Sequence, residues 1–175
     1  MVKVITPPAL FPGSPVSSAT FSDDMVYRYV LTRAWAGGNG NCTFICLNPS
    51  TADAFKNDPT VTRCIGYAKK WGYKSFTMLN AFAVRSTDPA GLMFGDPIGP
   101  DNDRFLREEA GKADLIVAAW GTHCRLGNRD EEMKEVLRPV GKDIYCLGTT
   151  MEGFPKHPLY LKGDVKPYLY MKCGH

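Results

Sequence analysis

From Cys42 onward the chain alternates short β-forming runs with stretches of helical period, and that alternation constrains its fold more than any other feature. Cys42-Thr43-Phe44-Ile45-Cys46-Leu47 is an apolar, β-rich run bounded by Gly40-Asn41 and Asn48-Pro49. Asn57-Asp58-Pro59 reads as a helix start, a side-chain cap followed by proline in the first turn. Val61, Cys64, Ile65, Ala68 and Trp71 recur at helical spacing until Gly72 stops the element. A second strand is expected within residues 74–84, and a helix from Asp101 or Asn102 through Ala110. The run from Asp114 to Ala119 is apolar after its first residue, as strands buried on both faces of a parallel sheet are. A helix over 128–137 and a short strand over 144–147 complete a β-α-β-α-β-α-β order. Such an order predicts a parallel sheet with helices on both faces and right-handed crossovers.

Upstream, residues 25–35 alternate Tyr27, Tyr29, Leu31 and Arg33 against Arg28, Val30, Thr32 and Ala34, a strand pattern. Gly37-Gly38-Asn39-Gly40 supplies the turn chemistry of a hairpin, so this strand is expected to pair antiparallel with 42–47. Residues 1–24, with Pro7, Pro8, Pro12 and Pro15, lack periodicity and are expected to form an extended N-terminal arm. The expectation is one domain over the 175 residues, with an α/β core over 25–171. That core would have three layers, α/β/α, about a central, mainly parallel four-stranded sheet, plus the N-terminal antiparallel hairpin strand.

The apolar share of 44% and charged share of 22% are globular values and argue against global disorder. No apolar run approaches the roughly 20 residues of a spanning helix, and no secretory h-region follows the N-terminus. A soluble cytoplasmic protein without a membrane partner is expected. A net charge of +3 permits nucleic-acid binding without arguing for it. The six cysteines, at 42, 46, 64, 124, 146 and 173, are unevenly spaced. Cys42 and Cys46 share one face of a strand rather than forming a Cys-x-x-Cys turn, so no metal is expected. No cofactor is implied.

Four strand ends carry the chemistry: Asn48-Pro49-Ser50, Asn80-Ala81-Phe82, Trp120-Gly121 and, a few residues beyond the last strand, Lys156-His157-Pro158. In open α/β sheets the ligand crevice lies at the carboxyl ends of the strands. Asn48, Ser50, Asp53, Asn80, Gly121 and His157 are therefore candidate site residues. These are mostly neutral donors and acceptors. A carboxamide presents a donor beside an acceptor, as a nucleobase edge does. Asp53, Asp58 and Asp88 lie near, but the spacing assigns none of these carboxylates a certain place inside. Arg85, just past Asn80, suits a substrate anion. His123 reads as a structural residue, and His175 as a chain terminus without a role.

The segments Leu47-Asn48-Pro49-Ser50-Thr51-Ala52-Asp53, Asn57-Asp58-Pro59-Thr60, Arg63-Cys64, Trp71-Gly72-Tyr73 and His157-Pro158-Leu159 resemble those of the domain of unknown function 1643 family. That family is found in bacteria and phages and has no established activity. A more distant resemblance follows the order of the motifs. A strand then Asn48-Pro49, a strand then Asn80, a strand then Gly121 and a late His157-Pro158 are similar to the uracil-DNA glycosylase superfamily. This resemblance implies a uracil-DNA-glycosylase-like fold. It also implies that Asn48 orients water, Asn80 reads the base and His157 stabilises the leaving pyrimidine, with Phe55 or Phe82 stacked on it. Leu159 stands where that superfamily has Ser, and no wedge segment is identifiable.

The expected ligand is a nucleobase, nucleoside or nucleotide, either free or in DNA, held in a glycosylase-like pocket that would hydrolyse an N-glycosidic bond. The alternative is a non-catalytic module that recognises a modified base or nucleotide. A metal-dependent hydrolase would need carboxylates that the sequence does not bring together.

Overall fold

A computed structural model describes residues 1–173; His175, given no role above, lies outside the described residues. The strands are β1 (Val2–Ile5), β2 (Val16–Ser22), β3 (Arg28–Ala34), β4 (Asn41–Cys46), β5 (Ser75–Asn80), β6 (Leu115–Ala118), β7 (Ile144–Cys146) and β8 (Tyr168–Met171). The α-helices are α1 (Pro59–Lys70), α2 (Asn102–Lys112) and α3 (Arg129–Leu137). All eight strands form one sheet in the order β1-β2-β3-β5-β4-β6-β7-β8. Among the described residues no helix is long and apolar enough to cross a membrane.

This architecture corrects the sequence-based expectation of a three-layer α/β/α fold of uracil-DNA-glycosylase type around a central parallel four-stranded sheet. The sheet is mixed and twice that width. Its pairings β1–β2, β2–β3, β3–β5 and β7–β8 are antiparallel and outnumber the parallel pairings β5–β4, β4–β6 and β6–β7. The difference arises at the two ends of the chain. Residues 1–24, expected as an arm, hold β1 and β2, whose residues pair from Val2↔Ser22 to Ile5↔Ala19. At the other end β8 closes antiparallel on β7.

The expected hairpin between β3 and β4 does not form, because β5 lies between them. Leu31 of β3 and Phe44 of β4 both face Met78 of β5, the first antiparallel and the second parallel. The glycine-rich stretch instead carries the chain across the start of β5. Asn39 N–H donates to the Gly72 carbonyl at 2.9 Å, and Gly38 takes φ +77° with its Cα tight against that carbonyl. A Cβ there would sit 2.5 Å from the Gly72 oxygen, so only glycine fits.

Each sheet face carries its own core. Phe44, Phe76 and Met78 pack with Val61, Cys64 and Tyr67 of α1 on one face. Ile45, Leu79 and Ile116 pack with Phe105 and Leu106 of α2 and Met133 and Leu137 of α3 on the other. The two faces alternate along β4 and β5 as the pleat requires. Asp58 caps α1, its Oδ1 accepting from Val61 N–H at 2.8 Å. All six cysteines are free, and burial pushes the Cys42 and Cys64 thiols well above their ordinary value.

The carboxyl end of β5 is held by side chains rather than by a neighbouring strand alone. Asn102 Nδ2 donates to the carbonyls of Asn80 (3.0 Å) and Ala81 (3.1 Å), and Arg129 Nε donates to that of Ala81 (2.9 Å). Both side chains are buried. Asn102→Ala should therefore leave a buried carbonyl short of its donor and lower stability by about 1–3 kcal/mol, read from urea denaturation midpoints. A variant as stable as the parent would show that this staple is dispensable.

Candidate functional site

The strand ends open into a cavity of about 530 Å³ between the sheet and the amino end of α1. Cys46, Leu47, Asn48 and Ser50 come from the end of β4 and the loop after it. Trp120 and Gly121 follow β6, Asp58 and Thr60 begin α1, and Lys156, His157 and Tyr160 close the opposite side. Arg28 of β3 and Met78 of β5 contribute from the sheet. A wider, more open depression of about 760 Å³ adjoins it through Thr122 and His123, and its wall includes the exposed Arg125–Glu152 ion pair.

The loop after β4 is held in place by two arginines of β3. Arg28 Nη1 donates to the Ala52 carbonyl at 2.7 Å, while Arg33 donates to the Asp53 carbonyl at 2.5 Å and to Asn57 Oδ1 at 2.9 Å. Strict alternation would set residues 28 and 33 on opposite faces. A β-bulge removes that conflict: Thr20 faces Val30 and the next residue, Phe21, faces Arg28, so Tyr29 has no partner on β2. Both guanidinium groups thus reach the same loop.

Arg28 is 1% exposed. Beyond Ala52, the only other hydrogen bond of its guanidinium among the described residues is a weak one from Nη2 to Met78 Sδ at 3.5 Å, and Nε is buried without a partner. Burial lowers its pKa to about 10 while Asp58 acts in the opposite sense, so the group stays charged at neutral pH. Asp58 does not touch it in an ion pair. Its Oδ1 is spent on Val61 N–H and its Oδ2 accepts from Ala52 N–H at 3.4 Å.

Asn48 is half-buried and its orientation follows from its neighbours. Nδ2 donates to the carbonyls of Pro49 (3.1 Å) and Ser86 (2.9 Å). Two acceptors on that side fix which end is nitrogen, and Oδ1 has no protein partner among the described residues. In His157, Nδ1 accepts from Leu159 N–H at 3.4 Å, which places the proton of the neutral ring on Nε2. Burial lowers the His157 pKa, with Asp58 opposing, so the ring is neutral at pH 7. The wall therefore offers one unspent carboxamide acceptor and one imidazole donor.

Of the residues expected at the site, Asn48, Ser50, Gly121 and His157 share this cavity. Gly121 takes φ +71°, and its N–H donates to the Pro155 carbonyl at 2.8 Å, tying the β6 end to the segment that carries His157. Asn80 is not in the wall. Its side chain stands on the same face of β5 as Met78 and opposite Cys46, but it is 1% exposed, with neither amide atom hydrogen-bonded. The other expected residues lie elsewhere. Asp53 is occupied by its own turn, with Oδ1 accepting from Phe55 and Lys56 N–H. Burial raises its pKa, but those bonds outweigh it and leave the carboxyl below its ordinary value. Phe55 projects into solvent at 72% exposure, and Phe82 lies in the core on the opposite face. Arg85 packs over the Phe21 ring and donates to the Met25 carbonyl at 3.2 Å, away from the cavity.

Sequence reasoning missed Arg28 as a site residue, and the carboxylate it named, Asp53, is not the one that lines the wall, which is Asp58. No local signal marked Arg28: an arginine alternating with Tyr27 and Tyr29 along a strand reads equally as a residue on a solvent face. Residues 28–159 match the family described as protein of unknown function (DUF1643). The chain belongs to this family. The matched span opens at Arg28 and closes at Leu159, so it carries the wall from Arg28 through His157 and leaves β1 and β2 outside. No curated protein matches the chain.

Because folding lowers the His157 pKa, the unfolded chain takes up a proton there first as pH falls. Its contribution to stability is present above the ordinary value of 6.5 and is lost as pH falls through that value toward the lowered folded one. Denaturation midpoints taken between about pH 8 and pH 5 should fall more steeply for the parent than for His157→Gln. Equal slopes would show that the imidazole is not held neutral.

Proposed function

We propose that this cavity binds a nucleobase-bearing ligand (a free base, nucleoside, nucleotide or base presented by DNA) and that hydrolysis of its N-glycosidic bond is the reaction its polar groups suit. The observation that supports this reading is the meeting of Asn48 Oδ1 and the Nε2–H of a neutral His157 in one cavity with Leu47, Met78 and Trp120. Apolar walls with a few placed donors and acceptors suit a flat heterocycle.

N-glycosidic cleavage develops positive charge on the sugar and negative charge on the departing base. An acceptor such as Asn48 Oδ1 would orient the attacking water. A donor such as His157 Nε2–H would stabilise the base anion, and donors aimed at developing charge are commonly the largest catalytic contribution. The order of the polar segments, similar to that of the uracil-DNA glycosylase superfamily, also supports the reading. A base in a duplex would have to be flipped out of the helix to enter.

One observation favours the second reading, a non-catalytic binding module. The carboxylate in the wall, Asp58, has each oxygen accepting from a backbone N–H, which anchors it in the α1 cap rather than presenting it to the cavity as a general base. The two readings separate on one variant. In an enzyme, Asn48→Ala should lower turnover by about a hundredfold or more while affinity changes little. In a binder, affinity alone should fall. Base release from uracil-, hypoxanthine- and modified-base DNA and from free nucleosides, with calorimetry on the same ligands, makes the measurement. Neither release nor binding with any of them would reject both readings.

A further inference from the structure

Arg28 is a buried cation that forms no ion pair among the described residues. Its guanidinium is 1% exposed, Nε has no partner, and its two hydrogen bonds go to the Ala52 carbonyl and to a thioether sulfur. Guanidinium is a fork of five donors, and leaving most of them unspent in a dry site is costly. Removing a buried charge from water is repaid only by a close opposite charge. The carboxylate nearest in effect, Asp58, is turned toward backbone N–H groups instead. One same-face step along β5 from Met78, the Asn80 carboxamide is also buried with both polar atoms unspent. The charged side chains of the cavity wall are Arg28 and Lys156 against Asp58, so the enclosed field favours an anion.

We propose that Arg28 forms an oxyanion subsite at the inner wall of the cavity, and that the ligand is a free nucleoside monophosphate whose terminal phosphate it accepts. This inference rests on the nucleobase reading above and narrows it. A terminal phosphate monoester can be drawn in against a buried fork, which matches two of its oxygens at once. An internal phosphodiester of DNA carries chain on both sides and cannot be seated against a side chain so fully enclosed. Surface phosphate sites on lysines would tolerate either, so the depth of Arg28 is what selects the free nucleotide.

The test is calorimetry on the full chain with the common nucleosides, their 5′-monophosphates and inorganic phosphate, on the parent and on Arg28→Met and Arg28→Lys. The parent should bind a monophosphate about tenfold or more tightly than its nucleoside, and inorganic phosphate should compete. Arg28→Met should abolish that preference with nucleoside affinity kept, and Arg28→Lys should retain part of it. Equal binding of nucleoside and monophosphate by the parent would overturn the subsite and leave the nucleobase reading standing. Parallel loss of both ligands in Arg28→Met would show that Arg28 only holds the Ala52 loop, and would overturn it too. Binding of inorganic phosphate with no added affinity from base and sugar would keep the subsite and reject the nucleobase reading. No binding of any ligand would overturn both. Should Arg28→Met not fold, the preference of the parent and its partial retention in Arg28→Lys carry the same decision.

Discussion

The parallel pairing of β4 on both of its edges is the constraint on which the molecule depends. β5 takes one edge and β6 the other, in registers that run from Asn41↔Ser75 and from Cys42↔Leu115. A strand paired parallel on both edges has no edge left for an antiparallel hairpin partner, and parallel neighbours require crossover connections. α1 and α2 lie on those connections. The same pairing sends β4, β5 and β6 to their carboxyl ends on one edge, where loops without ladder partners must find other hydrogen bonds. Those loops form much of the cavity wall, and α1 begins there.

Polar side chains do the stitching that the ladder cannot. Arg28 and Arg33 hold the 52–57 loop, Asn102 and Arg129 hold the end of β5, and Asp58 joins the α1 cap to Ala52. Most of these are buried groups whose bonds go to backbone carbonyls or amides. They position the site without contributing reactive atoms. What remains unspent after this stitching includes Asn48 Oδ1 and the imidazole donor of His157, Arg28 Nε and Trp120 Nε1, all of cavity-wall residues, and the buried Asn80 amide outside the wall. Native proteins leave few buried polar groups unpaired, so the unpaired Arg28 Nε and Trp120 Nε1 in one cavity wall are informative; Arg63 Nε and Arg85 Nε, outside that wall, share the condition.

Much of the local structure was legible. Residue periodicity located α1, α2 and α3 and the strands over 42–47, 114–119 and 144–147 to within a few residues, because amphipathic period and capping chemistry are local properties. The polar strand ends were legible for the same reason, and Asn48, Ser50, Gly121 and His157 do share one cavity. Asp53 lies outside the cavity wall, its Oδ1 accepting from Phe55 and Lys56 N–H, a turn that an Asp can satisfy by itself. Phe82 and Asn80 stand two residues apart, yet one packs in the core of the opposite face and the other sits behind the cavity wall. Arg85 was placed by its distance along the chain from Asn80, but its guanidinium turns toward Phe21, a β2 residue that the sequence reading had placed in a loose arm.

By itself, the sequence determined the strands and helices of the core from β3 to β7, where α1 is capped, and which strand ends carry polar groups, since each depends on neighbours a few residues away; β1 and β2 were not legible in it. Only the tertiary structure decided the width and mixed character of the sheet, the insertion of β5 between β3 and β4, and the approach of Arg28 to the cavity. Those depend on pairings between distant segments and on a one-residue bulge opposite β2. A single extra residue reverses which side chains face which side, and no local pattern in β3 records that its partner strand will require it.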